Sequence, residues 1–139
     1  MDAPGNNYWQ IRLEQCSKAL EKNGFDVYIV NSAEDAGSVV MQEIVPALEP
    51  KTVSWGGSKT LQATGLVDAF VRMKDVDVID TFDTSVTPEE KLERRRQALL
   101  SDLFLTGTNA VTESGFLVNL DMIGNRVAAM TFGPKHVVI

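Results

Sequence analysis

The stretch VSWGGSKTLQATG, residues 53–65, sets a short apolar run against a glycine pair and then a serine. An apolar run that breaks abruptly into a capped helix start reads as the β-to-α turn of an α/β domain. Adjacent glycines allow the backbone to turn sharply and bring its amides close to a ligand, while Ser58 caps the following helix. First-turn amides then favour an anion at Gly56, Gly57 and Ser58, with Lys59 adding charge. An ordinary glycine turn with a serine cap leaves the same pattern. The spacing is neither that of a Walker A loop nor that of a dinucleotide fingerprint.

Outward from this turn the chain alternates. Trp9, Leu13, Cys16 and Leu20 recur at helical spacing, and KNG at 22–24 supplies a stop. FDVYIV at 25–30 reads as a strand. Asn31 or Ser32 then caps a helix with Met41, Ile44 and Val45 inward, its exit bracketed by Pro46 and Pro50. TVSW at 52–55 is a strand, and Ser58 starts a short helix toward Gly65. VDVI at 76–79 is the next strand. Thr87 and Glu90 form a capping box with Pro88 at the first helical position, predicting a helix to about Leu100 with Leu92, Leu99 and Leu100 available for burial. LFLTG at 103–107 returns to strand. FLVNL, RVAAMTF and HVVI then read as three short strands, the first two joined by a tight turn at DMIGN. The order predicts an α/β fold: a three-layer α/β/α arrangement with a mixed, mostly parallel sheet. It also predicts one domain over residues 1–139, cut within or just after its last strand.

Composition narrows the function classes. The 139 residues are 44% hydrophobic, enough for a packed core, and carry a net charge of −6. An acidic chain is a poor nucleic-acid binder, and the RRR at 94–96 follows EEKLE, which offsets it. The lone Cys16 reads as a small core hydrophobe with no internal disulfide available. His136 is the only histidine, and no Cys/His spacing suggests a metal site, so no cofactor or metal is expected. The start MDAPGNNYWQ lacks a secretory pattern and no apolar run is long enough to span a bilayer, so a cytoplasmic protein without membrane insertion is expected.

A second polar stretch, TGTNAVTESGFLVN at 106–119, crowds Thr106, Thr108, Asn109, Thr112, Glu113, Ser114 and Asn119 around Gly107 and Gly115. It follows a predicted parallel strand, beyond whose carboxyl end open α/β sheets bind ligands. Glu113 is the candidate catalytic group, as base, nucleophile or plain acceptor. Asn125 and Arg126 follow in NLDMIGNRVA, where Arg126 offers a planar fork to a carboxylate.

VSWGGSKTL, the TG at 64–65 and FLTGTNAVTESGFLVNLDMIGNRVAAMTFGPKHVVI together resemble the LUD-domain family, associated with lactate utilisation, from about Trp9 onward. The resemblance implies the fold of ribose-5-phosphate isomerase, glucosamine-6-phosphate deaminase and the coenzyme A transferases. It also implies a pocket between Gly56-Gly57-Ser58 and the loop of Gly107, Thr108, Asn109, Glu113, Ser114 and Gly115, with Asn125 and Arg126 nearby. Other family members act beside iron–sulfur subunits in oxidising L-lactate to pyruvate; one cysteine cannot ligate such a cluster. Ala63 stands where relatives often carry an acid.

The leading expectation is a protein that binds a small anionic metabolite, a carboxylate or phosphate, in a lactate-utilisation-like role. Two alternatives stand beside it. One is an acyl or CoA transferase in which Glu113 attacks an acyl thioester. The other is a non-catalytic subunit, as a homodimer or a metabolic-complex partner, whose final strand edge a second chain covers. A further expectation is that Glu113 and Arg126 share one crevice, although a straight strand between them sets them roughly 17 Å apart at about 3.4 Å per residue.

Overall fold

The computed structural model describes residues 4–139, with side chains from residue 7 onward. They form two compact units: residues through Asn31 together with Thr108–Asn119, and Ser32–Gly107 together with Leu120–Ile139.

The larger unit is built on a four-stranded parallel sheet. Its strands are β1 (Thr52–Trp55), β2 (Asp77–Ile79), β3 (Leu103–Leu105) and, at the end of the chain, β6 (His136–Val138), in the order β2-β1-β3-β6. Ser54 pairs with Ile79 on one side and Phe104 on the other, and Phe104 pairs in turn with Val137. Successive strand residues point to opposite faces, and the two cores follow that period. Val53, Trp55, Leu103 and Leu105 pack with Leu61 of α4 (Lys59–Ala63) and with Leu66 and Phe70 of α5 (Leu66–Arg72). Val40 and Val45 join this core from the helical run of α2 (Ala33–Val39), a π-helical segment Val40–Ile44 and α3 (Val45–Leu48). Phe104 points the other way, onto Ala98 of α6 (Pro88–Ala98) and Ala129 of α7 (Asn125–Thr131). Helices therefore flank a parallel sheet on both faces, the expected α/β architecture.

Local chemistry explains the boundaries. Ser32, Ser58 and Thr87 each accept a bond from the backbone N–H three residues on, at 3.0, 3.1 and 3.1 Å. Pro88 takes the first helical position of α6, where a missing N–H costs nothing. The Glu90 carboxylate turns outward to Arg94 Nε at 3.2 Å. Thr87→Ala is expected to cost about 1 kcal/mol, the usual value of a lost N-cap, read as a lower denaturant midpoint at unchanged slope. A cost below about 0.3 kcal/mol would mean that Pro88 alone sets this helix start.

The smaller unit contains α1 (Pro4–Lys22) and a hairpin of β4 (Ala110–Val111) with β5 (Leu117–Val118), paired Ala110 to Val118 and Val111 to Leu117. Asn23 Nδ2 donates to the carbonyls of Ser114 (3.2 Å) and Gly115 (2.9 Å), fastening the hairpin turn to the end of the helix.

Four expectations need correction. FDVYIV at 25–30 forms no strand; Phe25, Tyr28 and Ile29 are exposed, since β-branched and aromatic content makes a strand only where a neighbour completes the ladder. RVAAMTF is not a strand either: residues 125–131 are α7. Ala, Met and Arg are good helix formers, and so short an apolar run fits either period. The hairpin partner of FLVNL therefore lies upstream, at Ala110–Val111, rather than beyond DMIGN. Finally, Leu92 and Leu100 are exposed, and small Ala98 supplies the buried contact of α6. The helix α5 went unanticipated.

Candidate functional site

The sheet winding picks out one place. From β1 the chain passes through α4 and α5, on the Val53–Trp55 face, to β2. It then returns through α6, on the Phe104 face, to β3 on the far side of β1. The loops after β1 and β3 thus diverge, and the crevice between their carboxyl ends is the topological switch point of the sheet.

Gly56, Ser58, Thr106, Gly107 and Arg126 meet there. Gly56 N–H donates to Leu105 O at 2.9 Å, continuing the β1–β3 ladder. A Cβ on Gly56 would stand 3.0 Å from Thr106 Oγ1 and 3.2–3.3 Å from Cγ and Cδ of Arg126. A Cβ on Gly107 would stand 2.5 Å from Ser58 Oγ. At either glycine an added Cβ would press on a side chain brought in from a distant segment. The Arg126 stem crosses Gly56, and its guanidinium donates to Gly107 O at 2.7 Å and Leu120 O at 3.0 Å. Arg126 thereby ties the end of β3 to the loop leading into α7.

That loop is itself held by Asp121, whose Oδ2 accepts the N–H groups of Arg126 (2.9 Å) and Val127 (3.1 Å) at the start of α7. Burial raises the Asp121 carboxyl, but these amides with those of Gly124 and Ile123 outweigh it and hold the group below the usual carboxylate range. Lys59 is exposed on the first residue of α4, and Asn125 is half-buried on the first residue of α7.

The other predicted site residues belong to the smaller unit. Thr108 Oγ1 lies within hydrogen-bond distance of the Val118 carbonyl and Asn119 Oδ1, both at 3.2 Å, and Asn109 is exposed. Glu113 stands in the β4–β5 turn, where its carboxylate pairs with Arg12, Nε to Oε1 at 2.8 Å. The Arg12 guanidinium also lies 5.5 Å from the Tyr8 ring centre and 5.0 Å from that of Trp9. Ser114 Oγ shares a hydrogen bond with Thr112 at 3.0 Å. Gly115 is left-handed, φ +80°, and packs against the α1 backbone at Ala19 and Leu20. Cys16 is half-buried, its Sγ 3.6 Å from Thr112 O. His136 is exposed at the start of β6.

Sequence reading missed several working residues. Arg94 braces the loop after β2 through Asp80 O (3.2 Å) and Asp83 Oδ2 (3.0 Å), so the first member of RRR has a specific structural post. Asp83 is held below its ordinary range by the Ser85 hydroxyl and amide first, with Arg94 adding to them. Asp102 joins three strand entrances. An isolated Asp or Arg carries no local signal of such partners. An open depression lined by Met41, Thr64, Leu66 and neighbours lies on the helical layer, away from the sheet mouth. Among the described residues no cluster of His, Cys, Asp and Glu is placed to hold a metal ion, and no helix is long and apolar enough to cross a membrane.

A family model, the LUD domain, matches residues 13–139, and the chain belongs to that family. No curated protein and no solved structure matches the chain.

Proposed function

We propose that this lactate-utilisation-related protein binds a small anionic metabolite, a carboxylate or phosphate, at the mouth between β1 and β3. The observation that carries this reading is Arg126: in a chain of net charge −6, an arginine crosses the switch point of the sheet on a glycine that leaves room for its stem. Its guanidinium is a permanent cation with a donor geometry suited to carboxylate or phosphate. Gly107 O and Leu120 O orient the fork. Gly57 and Ser58 follow directly on Gly56, whose own N–H is taken up by Leu105 O. This arrangement supports binding and orientation of an anion.

Titration of isotope-labelled protein with L-lactate, pyruvate and inorganic phosphate tests the reading. Saturable amide shifts are expected at Gly57, Ser58 and Gly107 for at least one ligand. Arg126→Gln is expected to weaken binding about tenfold or more, the order of one lost charge-assisted hydrogen bond, with Arg126→Lys intermediate. Shifts confined to other surfaces, or none at millimolar ligand, would sink it.

A further inference from the structure

We propose that Phe82 is a specificity determinant at this mouth, selecting small carboxylates that carry an apolar tail over compact anions; the inference rests on the anion-binding reading above. Phe82 follows β2 in the loop that leads to α6, and it is 48% exposed. It belongs to neither core cluster. A single half-exposed aromatic is common on protein surfaces. What distinguishes this one is its fastening and its neighbour.

The backbone around the ring is braced at every step. Thr81, 1% exposed, donates its hydroxyl to Trp55 O at 3.2 Å, one residue before the glycine pair. Phe82 N–H donates to Asp80 Oδ1 at 2.8 Å. Asp83 Oδ1 accepts the Ser85 amide and hydroxyl at 2.9 and 2.6 Å, and Arg94 clamps Asp80 O and Asp83 Oδ2. The ring edge so placed lies beside Gly57, where an added Cβ would meet Phe82 Cζ at 3.2 Å.

Gly56 and Gly57 are consecutive, with Cα atoms about 3.8 Å apart. Arg126 meets the first and Phe82 the second. The Cγ and Cδ methylenes of Arg126 therefore cover one glycine and the edge of the Phe82 ring the next, with the guanidinium beyond the stem at Gly107 O and Leu120 O. The ligand that satisfies both is amphiphilic: a carboxylate head toward the arginine, with a hydrocarbon tail along the ring. Inorganic phosphate or a two-carbon acid satisfies only the first.

Amide-detected titration with acetate, butanoate, hexanoate and inorganic phosphate, on the wild type, Phe82→Ala and Phe82→Leu, reads this directly. For the wild type, Kd is expected to fall about two- to fourfold per added methylene, as apolar transfer onto a partly exposed ring predicts. Shifts should centre on Gly57 and Ser58. Phe82→Ala should flatten the series while leaving acetate binding within about twofold, and Phe82→Leu should keep part of the slope. Equal affinity along the wild-type series, with acetate or phosphate still shifting Gly57 and Ser58, overturns the role of Phe82 and leaves the anion site standing. A chain-length slope that survives in Phe82→Ala also overturns it. Absence of any shift at these amides overturns both readings.

Discussion

Asp102→Ala is expected to destabilise the parallel sheet by about 3 kcal/mol, a midpoint loss on the order of 10 °C. The carboxylate stands at the entrance to β3. Its Oδ2 accepts the Lys51 N–H at 2.8 Å, the Thr52 N–H at 3.0 Å and the Thr52 hydroxyl at 3.2 Å, all at the entrance to β1. Its Oδ1 meets Lys135 Nζ at 2.6 Å, just before β6. Removing the carboxylate leaves donors at the strand entrances without their acceptor, which costs more than the loss of one exposed ion pair. Lys135→Met makes the comparison: the lysine side chain is 72% exposed, so its loss is expected to cost at most about 1 kcal/mol. Equal costs for the two variants would show that the ion pair, and not the backbone acceptor, carries the effect.

The same site sets a pH dependence. The Lys135 contact first, and then the Lys51 and Thr52 amides, hold the Asp102 carboxyl far below its ordinary range against the opposing effect of burial. Since the folded value lies below the unfolded value of about 3.9, the contribution is complete above about pH 5. It is lost as pH falls through 4 toward the folded value. The gap in thermal midpoint between wild type and Asp102→Ala should therefore be widest near neutrality and narrow progressively in acid. A gap unchanged between pH 7 and pH 3 would rule out ionisation of Asp102 as its source.

Gly115→Ala is the second large effect, expected at about 2–4 kcal/mol on the smaller unit. Two costs add. Gly115 has φ +80°, where an L side chain costs roughly 1 kcal/mol. An added Cβ would also stand 2.6–2.8 Å from Ala19 C, Ala19 O and Leu20 N, a backbone overlap that only movement of the hairpin relieves. Gly24→Ala separates the terms, because Gly24 has φ +90° with nothing within 4 Å of the added atom. It should cost only the conformational part, about 1 kcal/mol. Amide exchange locates the damage: Thr112 and Val118, whose amides bond across the hairpin, should lose protection in Gly115→Ala while Val53 and Leu105 keep theirs. Similar losses for the two glycine variants would remove packing from the explanation.

Much of the fold was legible because its signals are local. TVSW, VDVI, LFL and HVVI are apolar runs bounded by turn residues, and all four became strands of the parallel sheet. The caps at Ser58 and Thr87 need only a hydroxyl three residues ahead of an amide, so they too could be read directly, while before α2 the same chemistry left Asn31 and Ser32 as alternatives, of which Ser32 makes the bond. The failures fell where a local pattern fits two outcomes. RVAAMT became a helix, and FDVYIV found no ladder. Gly56 and Gly107 were visible as glycines, but the reason for each, an arginine stem and a serine hydroxyl from distant segments, was not.

The amino-acid sequence by itself determined the α/β alternation, the helix starts at Ser58 and Thr87, the family and the candidate roles of the Gly56–Ser58 turn and Arg126. Each rests on residues close in the chain, or on a pattern long enough to be specific. Tertiary structure alone decided that Arg126 lies on Gly56, that Phe82 lies beside Gly57, that Asp102 joins three strand entrances, and that Glu113 pairs with Arg12. Those partners are separated by 25 to 101 positions in sequence. Contacts at such range are set by strand order, register and helix packing, which no short window of residues encodes.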